Sequence, residues 1–87
     1  MSKIVFDEDA WEDYLWCQLF DQKTLKKRNA LIKDIARHPF EGIGKPEALK
    51  GEEGIWSRRV NEKDRLVYEP QDNAVLIKQC RGHYDDK

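Results

Sequence analysis

The chain has no long apolar run. Nothing in it approaches the roughly 18 residues that cross a bilayer. No apolar segment with a small-residue cleavage site stands near its start either. The expectation is a cytoplasmic protein without membrane contact. Cysteine is scarce: only Cys17 and Cys80 occur, far apart and outside any C-x-x-C pattern. That excludes a disulfide-stapled scaffold and a zinc knuckle, and it leaves two reduced, partly buried thiols as the expectation. Only two histidines occur, His38 and His83, and no ligand spacing surrounds them, so neither a metal site nor a cofactor is expected. Excess charge of one sign is also missing: 16 Lys and Arg face 17 Asp and Glu, for a net charge of −1. A general nucleic-acid binder is usually strongly basic. Any RNA contact here must come from a local grouping of cations, and between Ile43 and Tyr84 the two signs nearly balance along the chain.

What is present is compatible with a small globule. Hydrophobic residues make up 39% of 87 positions, with three each of Trp, Tyr and Phe. That is enough for one small core, and residues 1–87 are read as a single domain without internal repeats. The 85–87 tail, Asp85-Asp86-Lys87, is expected to fray.

Lys3 to Phe6 is a short β-prone run. Asp7 can cap a helix, and Glu8 and Asp9 suit the positive end of its dipole. Trp11, Tyr14, Leu15, Gln18 and Leu19 recur at steps of three and four, which predicts a first amphipathic helix burying that face. Asp21 can cap a second helix, whose apolar side carries Leu25, Leu31, Ile32 and Ile35. Lys26, Lys27, Arg28 and Lys33 are assigned mostly to its other, solvated side. His38-Pro39 ends it, because a residue before proline avoids the α region. From Pro39 to Gly54 the chain is punctuated by glycine, with one helical turn possible over 46–49. Three strands follow: Ile55 to Val60, Arg65 to Glu69 and Ala74 to Arg81, with polar turns between them. The fold class is therefore α+β, an N-terminal strand and two helices packed on a small antiparallel sheet.

Alternation along the strands sorts their side chains. Ser57 and Arg59 share one face of the first strand of this meander and Trp56, Arg58 and Val60 the other. In the next strand Arg65, Val67 and Glu69 oppose Leu66 and Tyr68. A short hairpin brings Arg59 near Arg65, and Cys80-Arg81-Gly82-His83-Tyr84 closes the last strand. Taken singly these residues are ordinary: strand Arg and Lys mostly guard edges, and Glu47 reads as a loop carboxylate. Together, Glu47, Arg65 and His83 include the inventory for cutting a phosphodiester without metal. One group takes the ribose 2′-hydroxyl proton, a cation stabilises phosphoryl charge, and one group protonates the leaving 5′ oxygen. Each proton-transfer group is typically worth about a hundred- to ten-thousand-fold in rate.

Gly44-Lys45-Pro46-Glu47-Ala48-Leu49-Lys50, Trp56-Ser57-Arg58-Arg59, Asp64-Arg65-Leu66-Val67-Tyr68 and Cys80-Arg81-Gly82-His83-Tyr84 resemble the YoeB/Txe toxins of the RelE superfamily. Trp11, Asp13-Tyr14-Leu15, Lys26-Lys27, Leu31-Ile32-Lys33-Asp34 and Pro39-Phe40-Glu41-Gly42 extend the likeness over nearly the whole chain. The resemblance implies a microbial-ribonuclease-like fold and a ribosome-dependent messenger RNA endonuclease of a type II toxin–antitoxin system. It implies a cognate YefM/Phd-type antitoxin, operator DNA contacted only through the toxin–antitoxin complex, and homodimers. Carried over, Glu47 is the general base, His83 the general acid and Arg65 the stabiliser of the transition-state phosphate. Lys50, Arg59 and Tyr84 hold the substrate. The chain departs from the family pattern at Gly82, where an aromatic stands, and in the Asp85-Asp86 tail, whose charge favours protonated His83 but also repels RNA phosphate. A different class of function, a non-catalytic antitoxin-binding partner acting in promoter regulation, remains open beside the nuclease, as does a ribonuclease acting on naked RNA.

Overall fold

The computed structural model describes residues 2–82. His83, Tyr84 and the 85–87 tail lie outside the described residues. The elements run β1 (Lys3–Phe6), α1 (Glu8–Phe20), α2 (Gln22–Arg37), β2 (Glu47–Ala48), β3 (Trp56–Arg59), β4 (Arg65–Pro70) and β5 (Ala74–Gln79). They form an α+β fold with one sheet in the order β1-β5-β4-β3-β2. The β3–β4–β5 meander is antiparallel, as its polar turns indicate, and β2 continues that sense along the edge. β1 joins the far side parallel to β5, pairing Lys3 with Ala74 and Phe6 with Ile77, so the sheet is mixed.

The first helix begins where its cap predicts: Asp7 accepts the Ala10 N–H at 2.9 Å, with Glu8 and Asp9 in the first turn. Its buried face differs from the expected one. Ala10 and Cys17 are fully buried, whereas Trp11 is 46% and Leu19 72% exposed. The helix lies against β5 and α2, and small residues seven apart let it approach closely while bulky neighbours stay at the rim. Trp11 instead stacks on Tyr14 and meets Phe6 edge-on. Both thiols are fully buried, and burial pushes Cys80 up to about 12.

The second helix buries Leu31, Ile35 and Ala36, and also Arg28. Arg28 was expected on the solvated side with Lys26 and Lys27. It precedes Leu31 by three residues and Ile35 by seven, which places it on the core stripe. Its guanidinium is retained there because it finds partners: the Cys80 carbonyl (2.8 Å), Asp21 (3.0 Å), Asp64 (2.9 Å) and the Thr24 hydroxyl.

Val60, Leu66, Tyr68, Val75 and Ile77 form the helix-facing side of the sheet, joined by Leu31, Ile35, Ala10 and Cys80. Register shifts between Val67 and Tyr68: Tyr68 pairs with Ile77 but Val67 with Gln79. One extra residue on β5 reverses its phase, so Cys80 enters the core and Gln79 turns to the open face.

The helical turn expected over 46–49 is absent; Glu47 and Ala48 are a short edge strand opposite Ser57 and Trp56. The Gly44 carbonyl accepts the Arg59 N–H at 2.7 Å, which lays the chain beside β3 before Pro46 is reached. Proline costs no ladder bond at such an edge. Gly44 has φ +81° and its missing Cβ would lie 2.6 Å from Leu31 and 3.2 Å from the Arg59 carbonyl, so the approach requires glycine.

Arg58 fixes this connection. It is fully buried on β3 and donates to Asp34 (2.6 Å), to the carbonyls of Glu41 (2.8 Å), Ile43 (3.1 Å) and His38, and to the Tyr68 hydroxyl (3.1 Å). Tyr68 in turn donates to the Pro39 carbonyl at 2.7 Å. The Arg58 bond holds the Asp34 carboxyl below its ordinary value of 3.8. A carboxylate with a depressed folded-state pKa contributes stability that is complete above its unfolded value and lost as pH falls through the folded one. Asp34→Asn should therefore lower the unfolding free energy at pH 7 by about 3 kcal/mol, because it strands a buried guanidinium. The difference from the parent in urea titrations should stay constant from pH 7 to about pH 5 and shrink below about pH 4.

Candidate active site

Three neighbouring strands bring the expected cation and base together. β3 and β4 pair Arg59 with Arg65 and Ser57 with Val67, while β2 sets Glu47 opposite Ser57. Arg65 and Ser57 therefore share the sheet face away from the helices, and Glu47 reaches over from the edge. Arg65 Nη2 donates to Glu47 Oε1 at 2.9 Å. It also donates to Ser57 Oγ at 2.9 Å, and Arg65 Nε reaches the same hydroxyl at 3.1 Å. Ser57 is fully buried, so it is a fixed post that aims the guanidinium. Ser57 was read only as a residue on this face. The combination of strand alternation and hairpin register is the signal that would have given it this role.

Exposure divides the pair. The Arg65 side chain is 18% exposed and that of Glu47 60%. A sheltered, oriented cation beside an open carboxylate suits an anionic ligand arriving from solvent. One carboxylate oxygen is engaged by Arg65, and the second keeps its lone pairs for a proton. Arg59 and Lys50 are exposed and take no ion-pair partner among the described residues. Of the other cations weighed from the sequence, Arg58 points into the core and Arg81 stacks over Trp16 with its guanidinium 3.8 Å from the ring centroid. His83 and Tyr84 fall outside the described residues. The described chain ends at Gly82, whose carbonyl accepts the Arg65 N–H at 3.0 Å. The last residue before His83 is thus bonded directly to the backbone of Arg65.

The same sheet face opens into an adjoining cleft of about 370 Å³, floored by Ile55 and Val67 and flanked by Lys78, Gln79, Asp7, Asp9 and Glu52. Around this cleft three carboxylates, Asp7, Asp9 and Glu52, stand with the one cation Lys78.

Residues 6–84 match the family model described as YoeB-like toxin of bacterial type II toxin-antitoxin system. The chain belongs to this family. Toxin YoeB from Synechocystis sp. is 58% identical over 83 residues, covering 94% of this chain and 96% of that protein. The YoeB dimer structure from Staphylococcus aureus superposes with a TM-score of 0.88 at 47% identity, covering 95% of this chain and 98% of that one. A YoeB–YefM complex from the same organism gives a TM-score of 0.85 at 45% identity, covering 97% and 99%. The α+β reading and the YoeB-type resemblance are both borne out. Among the described residues no helix is long and apolar enough to cross a membrane.

The geometry separates the two partners of Arg65 by their stability effects. Ser57→Ala removes a buried acceptor and should destabilise this YoeB-like fold by about 1–3 kcal/mol. Glu47→Gln breaks an exposed pair and should change stability by no more than about 1 kcal/mol. Urea unfolding of the two variants beside the parent measures both.

Proposed function

We propose that this chain is an endoribonuclease that cuts messenger RNA bound in the ribosomal A site and so arrests translation. The observation that carries this reading is the Glu47–Arg65 pair on the open sheet face. Family membership supports it and points to the roles. Glu47 removes the proton from the ribose 2′-hydroxyl, which attacks the adjacent phosphorus. Arg65, held by Ser57, faces the negative charge growing on the phosphoryl oxygens. A cation already fixed there stabilises that charge without reorganising during the reaction. His83 gives its proton to the departing 5′ oxygen. The bond from the 2′ oxygen to phosphorus forms as the bond to the 5′ oxygen breaks. The step balances with the chain's own acid and base and requires no metal or cofactor.

Lys50 and Arg59 contact phosphates flanking the cut, and Tyr84 stacks on a message base, a contact worth roughly 1–3 kcal/mol. Three cations are few for a nuclease that must capture free RNA. The ribosome supplies the missing positioning by presenting an already oriented message, and such orientation can contribute several kcal/mol to a barrier. The solved Staphylococcus aureus relatives, a YoeB dimer and a YoeB–YefM complex, support homodimerisation and a YefM-type antitoxin partner for this chain. Operator DNA is contacted through that complex, and the site of action is the cytoplasm.

Purified protein should cut a message on programmed ribosomes far faster than the same message free in solution. Expression without antitoxin should stop growth. Glu47→Ala and His83→Gln should each lower cleavage by about a hundredfold or more and remove the arrest, with melting curves close to the parent's. Growth arrest without any cut message, or full toxicity in both variants, would contradict the assignment. Equal cutting of free RNA would instead identify a ribosome-independent nuclease.

A further inference from the structure

The buried Arg28 cluster does not belong to the Glu47–Arg65 site, yet it meets the chain at both sides of it. Asp64 Oδ2 accepts Arg28 Nη2 at 2.9 Å, while Asp64 Oδ1 accepts the Gly82 N–H at 2.7 Å. The next residue, Arg65, donates its own N–H to the Gly82 carbonyl at 3.0 Å, and Gln79 Nε2 adds a second donor there at 2.8 Å. Both backbone groups of Gly82 are therefore held by the consecutive residues Asp64 and Arg65. The turn carrying Asp64 is itself closed by Asn61, whose side-chain oxygen accepts the Lys63 and Asp64 N–H groups at 2.8 Å each. Arg28 completes the frame through the Cys80 carbonyl and Asp21.

A buried guanidinium–carboxylate cluster contributes little net stability compared with apolar packing of similar volume. What this one does supply is a fixed point. It locks Gly82 against the β3–β4 turn at φ +86°, a conformation glycine adopts without a Cβ penalty. The Gly82 carbonyl is bonded to the Arg65 N–H, so fixing Gly82 fixes the end of the described chain relative to Arg65. We infer that Asp64, oriented by Arg28, is a positioning residue that sets the C-terminal segment entering His83 against Arg65. This rests on the ribonuclease reading above.

Asp64→Asn tests it, because an amide has only one accepting end and both Arg28 and the Gly82 N–H are donors. On programmed ribosomes, Asp64→Asn should lower the maximal cleavage rate about tenfold or more, since a misplacement near 1 Å can cost a hundredfold. The half-saturating concentration should stay within about twofold, because the phosphate contacts remain. In a His83→Gln background the same substitution should lower the residual rate no further. Arg28→Met, which leaves the Asp64 carboxylate beside Gly82, should give a smaller loss that also vanishes in that background. Equal losses in both backgrounds, or no loss, would overturn the proposal. Amide hydrogen exchange reads the tie without activity: Gly82 protection should fall about tenfold in Asp64→Asn, one lost hydrogen bond's worth, while Tyr68 and Ile77 are unchanged. Unchanged Gly82 protection would overturn the tie. A parent chain that cuts no message would refute the ribonuclease reading alone, leaving the exchange result to decide the tie.

Discussion

The structure depends on one buried cation, Arg58. It sits on β3 between Ser57 and Arg59 with its side chain directed into the core, where it gathers Asp34, Tyr68 and three carbonyls of the connection after α2. Without those bonds the segment from His38 to Gly44 would present unpaired carbonyls to a buried cation, which costs more than the bonds contribute when made. With them, Gly44 is brought against Arg59, and β2 is delivered to the edge of β3. Glu47 meets Arg65 because of that delivery. A structural arginine on one face of β3 thus sets the position of the Glu47 carboxylate that meets Arg65 on the other.

Arg28 repeats the arrangement at the opposite end of β4. Each buried guanidinium is paired with carboxylate, Arg58 with Asp34 and Arg28 with Asp21 and Asp64, and also donates to main-chain carbonyl oxygen, which is the condition for tolerating a charge away from water. In so small a domain the two clusters hold the irregular segments, while the apolar core of Leu31, Ile35, Leu66, Tyr68, Val75 and Ile77 holds the regular ones. The open sheet face is left to Ser57, Arg59, Arg65 and Glu47. Arg58 of β3 and Arg28 of α2 are both fully buried among their own partners, so neither adds its charge to that face.

Much of this was legible from residue order. Alternation in β3 and β4 separated Ser57 and Arg59 from Trp56 and Arg58, and Arg65 and Val67 from Leu66 and Tyr68, as the structure has them, and the Asp7 cap placed the start of α1. The readings that failed share a cause: they treated polarity as a guide to exposure. Arg28 looked solvated because its neighbours are lysines, and Trp11 and Leu19 looked buried because they are large. Burial was decided by partners far away in sequence, namely Asp64 and Cys80 for Arg28, and a close approach that only Ala10 and Cys17 permit for α1. The edge strand at Glu47 was illegible for the same reason, since its register is set by a carbonyl at Gly44 and not by its own propensities. The roles proposed for Glu47, Arg65 and His83 came from resemblance; strand alternation supplied only the shared face of Arg59 and Arg65.

The chemistry we propose is attack by the ribose 2′ oxygen, with the acid and base drawn from the chain and the substrate oriented by the ribosome. Replacing the single scissile nucleotide of a ribosome-bound message by its 2′-deoxy counterpart tests that claim most directly. Cleavage at that bond should disappear, and the all-ribose message should yield a 5′-hydroxyl fragment beside one ending in a cyclic or 3′ phosphate. A deoxy-substituted message cut at the same bond, or a 5′-phosphate on the downstream fragment, would contradict the account.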